Sequence, residues 1–286
     1  MNDLQYFFLY FCKLLIYRME KKKILYISQE ICPYMNQSSM GDLSGALPQI
    51  MQESGRDIRI FLPRFGTVNE RRHQLHEVIR LSGMNLIIDD FDHQLIIKVA
   101  SIQQQRMQVY FIDNDEFFPR RQMFHDHEGN FMGNNDERMI FYCKGVIETV
   151  RKLGWSPDVI HCQGWFTSLV PMYIKKLYSE DPLFENTKVI YSVFDKGYKG
   201  KLSDTIIDKL LFENLEANDL SGLKNLNVNT LNKFAISYSD AVVQATEKIN
   251  KSVLSSIEDS GKPFLDFPGD EEYEEEYLNF YENFIA

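Results

Sequence analysis

The amino-acid sequence predicts an α/β fold: a Rossmann-like, doubly wound, mainly parallel sheet with a small antiparallel insertion. Three observations predict it. Residues 24–66 read strand, loop, helix, strand. The same β–α order returns between residues 136 and 257, and a pair of apolar runs around a polar turn interrupts it at residues 84–100. Strands joined by a helix lie parallel with a right-handed crossover, so ligands are expected at the carboxyl strand ends.

The elements follow in order. Ile24, Leu25, Tyr26, Ile27 and Ser28 form an apolar run behind three lysines, as a buried strand does. Asp42 is the expected cap of a helix in which Leu43, Ala46, Leu47, Ile50 and Met51 recur at three- and four-residue steps. Gly55 stops that helix, and residues 58–62 form a second strand before Pro63. Residues 84–88 and 95–100 flank an aspartate-rich turn and read as a hairpin, followed by a strand at 107–112. Residues 117–135 read as a long surface loop.

Asn135 or Asp136 then caps a helix with Met139, Cys143, Val146, Ile147 and Val150 on one face, ended by Gly154. Further strands are expected at 157–161, 188–192 and 241–243. Helices are expected at 167–177 and from Glu247. The domain so predicted spans residues 19–257, followed by an acidic, aromatic tail at 258–286.

Composition narrows the function. The formal charge is −10, but residues 266–286 hold eight acids and neither lysine nor arginine. The body is therefore close to neutral and has no electrostatic footprint for nucleic acid. Cys12, Cys32, Cys143 and Cys162 form no C-x-x-C pair, which argues against zinc and for a reduced, cytoplasmic compartment. His125, Asp126, His127 and Glu128 lie together, but no third ligand is placed by sequence, and they read as a solvated polar loop. No metal is expected. The tail's composition reads as a solvated end; the alternative is an amphipathic helix docked on a partner or on its own body.

Residues 1–18 stand apart. They are rich in Phe, Leu and Tyr but interrupted by Lys13, too short for a membrane span and unlike a signal peptide. The expectation is that translation starts at Met19 and the preceding residues are an upstream artefact, with a membrane-surface anchor as the rival.

Five ordered segments carry a resemblance. Glu30, Ile31, Cys32, Pro33 and Tyr34 with residues 40–48, then residues 109–114, 134–139, 153–162 and 192–200, resemble bacterial glycogen synthases and plant starch synthases. Together they cover nearly all of residues 23–257. The resemblance implies the amino-terminal domain of a GT-B glycosyltransferase that moves glucose from ADP-glucose to an α-1,4-glucan with retention. In such enzymes this domain cradles the acceptor, and a second domain grips the nucleotide. It implies substrate-binding roles for Gly41, Asp42, Tyr110, Asn135, His161, Trp165 and Tyr198, and no cofactor beyond the donor substrate. Four of them have a structural explanation too: turn and cap for Gly41 and Asp42, packing for Trp165, a buried hydrogen-bonded histidine for His161; the roles of Tyr110, Asn135 and Tyr198 rest on the resemblance alone.

The departures fall at the chemistry. The family's Lys-Thr-Gly-Gly is Asn36, Gln37, Ser38 and Ser39 here; its His-Asp-Trp-His is Gln163, Gly164, Trp165 and Phe166; its next His-Asn is Phe194 and Asp195. Losing one lysine–phosphate bond costs about 1.5–3 kcal/mol, or roughly 10- to 150-fold. The nucleotide-gripping domain is expected to be missing, with the acidic tail in its place. The expectation is a family domain that does not turn over ADP-glucose alone, with a non-catalytic glucan- or protein-binding module as the alternative. Expected partners are α-glucan and a protein supplying a second domain, with no nucleic acid and no membrane span.

Overall fold

The computed structural model describes residues 21–102, 107–118, 122–269 and 271–285. The expectation for residues 1–18 lies outside the described residues. The elements in chain order are β1 (Lys23–Ser28), α1 (Ser39–Glu53), β2 (Asp57–Pro63), α2 (Glu70–His73), β3 (His76–Glu77), β4 (Met84–Ile88), β5 (Phe91–Ile102), β6 (Met107–Asp113) and α3 (Asn135–Leu153). There follow β7 (Val159–Gln163), α4 (Val170–Met172), β8 (Lys188–Val193), α5 (Ile206–Leu211), α6 (Val228–Tyr238), β9 (Ala241–Gln244), α7 (Lys251–Ser260), β10 (Phe264–Leu265) and α8 (Tyr273–Ile285).

The strands are ordered β10-β9-β8-β7-β1-β2-β6-β5-β3, with β4 paired to β5. From β10 to β6 every pairing is parallel, and β3, β4 and β5 add the antiparallel insertion. The winding reverses at β1, which has β2 on one side and β7 on the other. That reversal opens the crevice in which open α/β sheets hold ligands.

Alternation along β1 explains why its whole run is apolar. Leu25 and Ile27 face one core layer, with Met139, Tyr142 and Val146 of α3; Ile24 and Tyr26 face the other, with Leu47 and Met51 of α1. Tyr142 ties α3 to the sheet by donating from its hydroxyl to the carbonyls of Ser28 (2.8 Å) and Phe61 (3.0 Å).

The tail departs from the solvated reading. Phe264 and Leu265 add a parallel strand beside Val242 and Val243, and α8 packs with α1 on the second core layer. The reason is a helical stripe inside an acidic run. Tyr277 and Tyr281, four residues apart, are buried, whereas Glu274, Glu275, Glu276 and Glu282 are exposed. The acids of the first turn also suit the positive end of the helix. Lys188 donates to the Phe284 carbonyl (2.6 Å), holding the far end.

Three smaller readings are corrected. Residues 117–135 are not a surface loop throughout: Phe117, Phe118, Phe124 and Met132 are buried. The helix expected at 167–177 is broken into a 3-10 turn at Trp165–Thr167, the short α4 with Pro171 near its start, and a π-helical turn at Tyr173–Leu177. The helix expected from Glu247 begins at Lys251, because Asn250 caps it by accepting the Ser252 N–H (2.9 Å). Among the described residues no helix is long and apolar enough to cross a membrane.

Candidate functional site

The crevice beside β1 is built by the loop that follows that strand. Gln29 is buried, and its side-chain oxygen accepts the Phe166 N–H (3.2 Å) while its amide donates to Glu30 (3.2 Å). The chain then folds back so that the Cys32 N–H donates to the Gly41 carbonyl (3.0 Å). Ser38, and not the expected Asp42, caps α1: its hydroxyl accepts the Gly41 N–H (2.9 Å) and donates to Glu30 (2.7 Å). The helix simply starts one turn earlier, which leaves Asp42 exposed in its first turn.

Gly41 has a packing reason to be glycine. A Cβ there would stand 3.1 Å from the Cys32 sulfur and 3.2 Å from the Ser38 hydroxyl oxygen. Asn36, at the position of the family's lysine, is exposed on this loop. The serines that replace the glycines of the phosphate loop have thus become a helix cap and its first residue.

Across the crevice stands the end of β7. His161 is fully buried; its Nδ1 meets the Tyr281 hydroxyl (2.5 Å) and its Nε2 meets the Ser192 hydroxyl (2.6 Å). Burial drives its pKa down to about 3, so the ring is neutral. Gln163 accepts a hydrogen bond from the Ser28 hydroxyl of the neighbouring strand. Gly164 adopts φ +89°, and a Cβ would fall 2.6–2.9 Å from the Gln29 side chain. Only glycine suits both the backbone and the space.

The end of β8 is closed by packing. Phe194 is buried against Met40 of α1 and Ala245 after β9. Asp195 is exposed, and its N–H donates to the Thr246 hydroxyl (2.9 Å). Trp165 and Tyr198 are brought together, ring centroids 4.4 Å apart, with Phe131 stacked on Tyr198 at 4.5 Å. The Tyr198 hydroxyl is spent on the Leu226 carbonyl (2.8 Å).

Two expected site residues lie elsewhere. Tyr110 sits in mid-strand on β6, stacked on Phe61 at 5.0 Å and bonded to Gln108 (3.2 Å). Asn135 is buried at the start of α3, donating to the Phe124 carbonyl (2.8 Å) and accepting from Arg138 (2.6 Å). Arg138 in turn donates to the carbonyls of Phe117 (2.8 Å) and Met123 (2.7 Å). These two residues hold the backbone of Phe117, Met123 and Phe124 in place.

The crevice therefore presents amide, backbone, aromatic and carboxylate groups. The His161 imidazole is neutral, walled off and occupied at both nitrogens, which leaves it unable to pass a proton to a ligand. Among the described residues no group of three or more His, Cys, Asp or Glu side chains could hold a metal ion. Sequence reasoning missed Gln29, Ser192 and Tyr281, the partners that fix Gly164 and His161. The i,i+4 pair of Tyr277 and Tyr281 was the available signal for the last.

Comparison with known proteins gives the same architecture. Similar proteins include the glycogen synthase of Chlorobium limicola, 35% identical over 196 residues that make up 68% of this chain and 40% of that protein. The glycogen synthase of Chlorobaculum parvum is 32% identical over 243 residues, 83% of this chain and 48% of that one. The solved catalytic domain of starch synthase IV from Arabidopsis thaliana, bound to ADP and acarbose, superposes with a TM-score of 0.70 at 20% identity. It covers 87% of this chain and 51% of that structure. The chain thus spans less than half the length of these curated relatives, and its parallel sheet with a crevice at β1 and β7 is a GT-B-type fold. The model of the starch synthase catalytic domain family matches residues 23–261, and to that family the chain belongs.

Proposed function

We propose that this family member works in α-glucan metabolism by holding glucan, and that these residues by themselves do not transfer glucose from ADP-glucose. The observation that carries the reading is what has become of the departing positions. Ser38 is a helix cap, Gly164 is fixed by Gln29, and Phe194 fills a small apolar cluster. These three positions are knitted into the fold and supply neither a cation for a diphosphate nor an imidazole. α-Glucan is the proposed ligand, the cytoplasm the proposed compartment, and a protein bearing a nucleotide-gripping domain a further proposed partner.

Two measurements on the full chain test this. ADP release from ADP-glucose in the presence of glycogen should not exceed a matched control without protein. Glycogen co-sedimentation should carry the chain into the pellet. Release accompanied by label entering glycogen would overturn the first half of the proposal, and absence from the pellet the second.

A further inference from the structure

A strand at the border of a sheet carries backbone groups that no neighbour satisfies, and proteins blunt such borders. β10 is two residues long between Pro263 and Pro268, and β3 is two residues long with both side chains exposed. β4 is not blunted in this way. It runs for five residues, pairs among the described residues with β5 alone, and lies at the end of the sheet away from the crevice. Its hairpin closes at Ile88 and Phe91 around the turn residues Asp89 and Asp90. Ladder bonds to β5 therefore fall to Leu86 and Ile88, while the N–H and C=O groups of Asn85 and Ile87 face outward. Lys144 of α3 reaches that outward carbonyl of Ile87 (3.1 Å), and the oxygen keeps a second lone pair.

The same border gathers exposed apolar surface. Among the described residues the large apolar side chains left exposed are Ile79 before β4, Ile87 within it, Phe91 after its turn, and Leu211 and Phe212 at the end of α5. Ile87 and Phe212 face one groove of about 660 Å³. The charges at the two ends of β4 are opposite. Arg80 is exposed before its start and Asp89, Asp90 and Asp92 beyond its end, and among the described residues none of these four has an ion-pair partner. An edge with apolar side chains along it and opposite charges at its ends is complementary to an antiparallel copy of itself. Two-fold pairing about Leu86 sets Asn85 opposite Ile87 of the other copy, with about four backbone hydrogen bonds. It also brings the Asp89 and Asp90 turn of each copy beside Gly83 and Arg80 of the other, and Phe91 toward Ile79. A foreign strand would answer the backbone groups alone; a second copy answers the apolar residues and the end charges too.

We propose that β4 is a self-association edge, through which two copies of this chain join their sheets antiparallel about a two-fold axis at Leu86. The edge stands apart from the crevice, so the proposal does not depend on the glucan reading.

The test is sedimentation equilibrium of the full chain over a range of concentrations, with amide hydrogen exchange read across β4. The expected result is a reversible dimer in which the Asn85 and Ile87 amides are better protected at high concentration than at low. Ile87→Lys puts a charge at an exposed edge position and should weaken association by about tenfold or more. Arg80→Asp should weaken it as well, by setting like charges against each other, and adding Asp90→Arg to that variant should restore it. Asp89 is left in place because its φ of +57° suits aspartate. Circular dichroism checks that each variant folds. A monomer at every concentration overturns the proposal, and so does an open-ended series of larger species, because a two-fold edge closes at two copies. A dimer that Ile87→Lys leaves at full strength overturns it by placing the contact on another surface. Association unmoved by Arg80→Asp, or lost with it and not recovered on the double exchange, overturns the two-fold arrangement and the proposal with it.

Discussion

His161 and Tyr281, 120 residues apart in the chain, meet at 2.5 Å in the core. One set of proton positions satisfies the whole string. The Ser192 hydroxyl donates to Nε2, the Nδ1–H donates to Tyr281, and the Tyr281 hydroxyl donates to Tyr26 (3.0 Å). A residue retained from the family's motif has become the anchor for a tail outside the family match. Burial keeps the ring neutral, so one ring nitrogen donates and the other accepts.

Stability should therefore fall on mild acidification. The folded-state pKa of His161 is depressed to about 3 from 6.5, so below pH 6.5 the unfolded chain takes up a proton that the folded chain refuses. Each pH unit between 6.5 and 3 then removes about 1.4 kcal/mol of folding free energy. Asp136 and Glu213, whose carboxyls burial raises, act in the opposite sense. The contribution is isolated by comparing wild type with His161→Asn. Urea unfolding at pH 7 and pH 5 should show the wild type losing about 2 kcal/mol more than the variant; equal losses would contradict it.

Tyr281→Phe should loosen the tail. The substitution keeps the ring but strips a partner from the buried His161 Nδ1–H and from Tyr26. Leaving buried groups unpaired costs about 1–3 kcal/mol. Urea unfolding should register that loss, and amide exchange across α8 should accelerate more than in α3 on the opposite face of the sheet. A neutral substitution would mean that the hydrophobic stripe alone holds α8.

How much was legible follows from where the information sits. The strands β1, β2, β7, β8 and β9 were readable because a parallel strand buried on both faces is an uninterrupted apolar run, and the β4–β5 hairpin because its turn is rich in aspartate. The docking of α8 was legible only as the alternative to a solvated tail. Its apolar residues are spaced among six glutamates between Glu271 and Glu282, and bulk charge outweighed a stripe of period 3.6. Asp42 was a plausible cap by residue type, but capping depends on where the preceding loop turns, which Glu30 and Cys32 decide through contacts with Ser38 and Gly41. At the site, motif matching named residues near the strand ends, but the partners of Asn135 and Tyr110 were not legible from it.

Asn135→Ala should accordingly be read in stability and not in ligand affinity. The side chain joins the Phe124 carbonyl and Arg138 in a buried network. Its removal should lower unfolding free energy by about 1–3 kcal/mol while glycogen affinity of the folded variant stays unchanged. A loss of affinity at full stability would return Asn135 to a binding role.

Gly164→Asp, which restores the family's residue, should destabilise without restoring transfer. Two costs combine at this position. A non-glycine residue at φ +89° costs about 1–2 kcal/mol, and the added Cβ collides with Gln29, which must leave the bond it makes to the Phe166 N–H. Gln29→Ala alone should also destabilise, by exposing that N–H to an unsatisfied burial of about 1–3 kcal/mol. Combining the two changes should cost less than their sum, because the collision disappears once Gln29 is shortened while the backbone strain persists. A double-mutant cycle measured by urea unfolding should then show a coupling of about 1 kcal/mol or more. Strict additivity would mean that Gln29 does not hold this turn, and that glycine at 164 answers to backbone conformation alone.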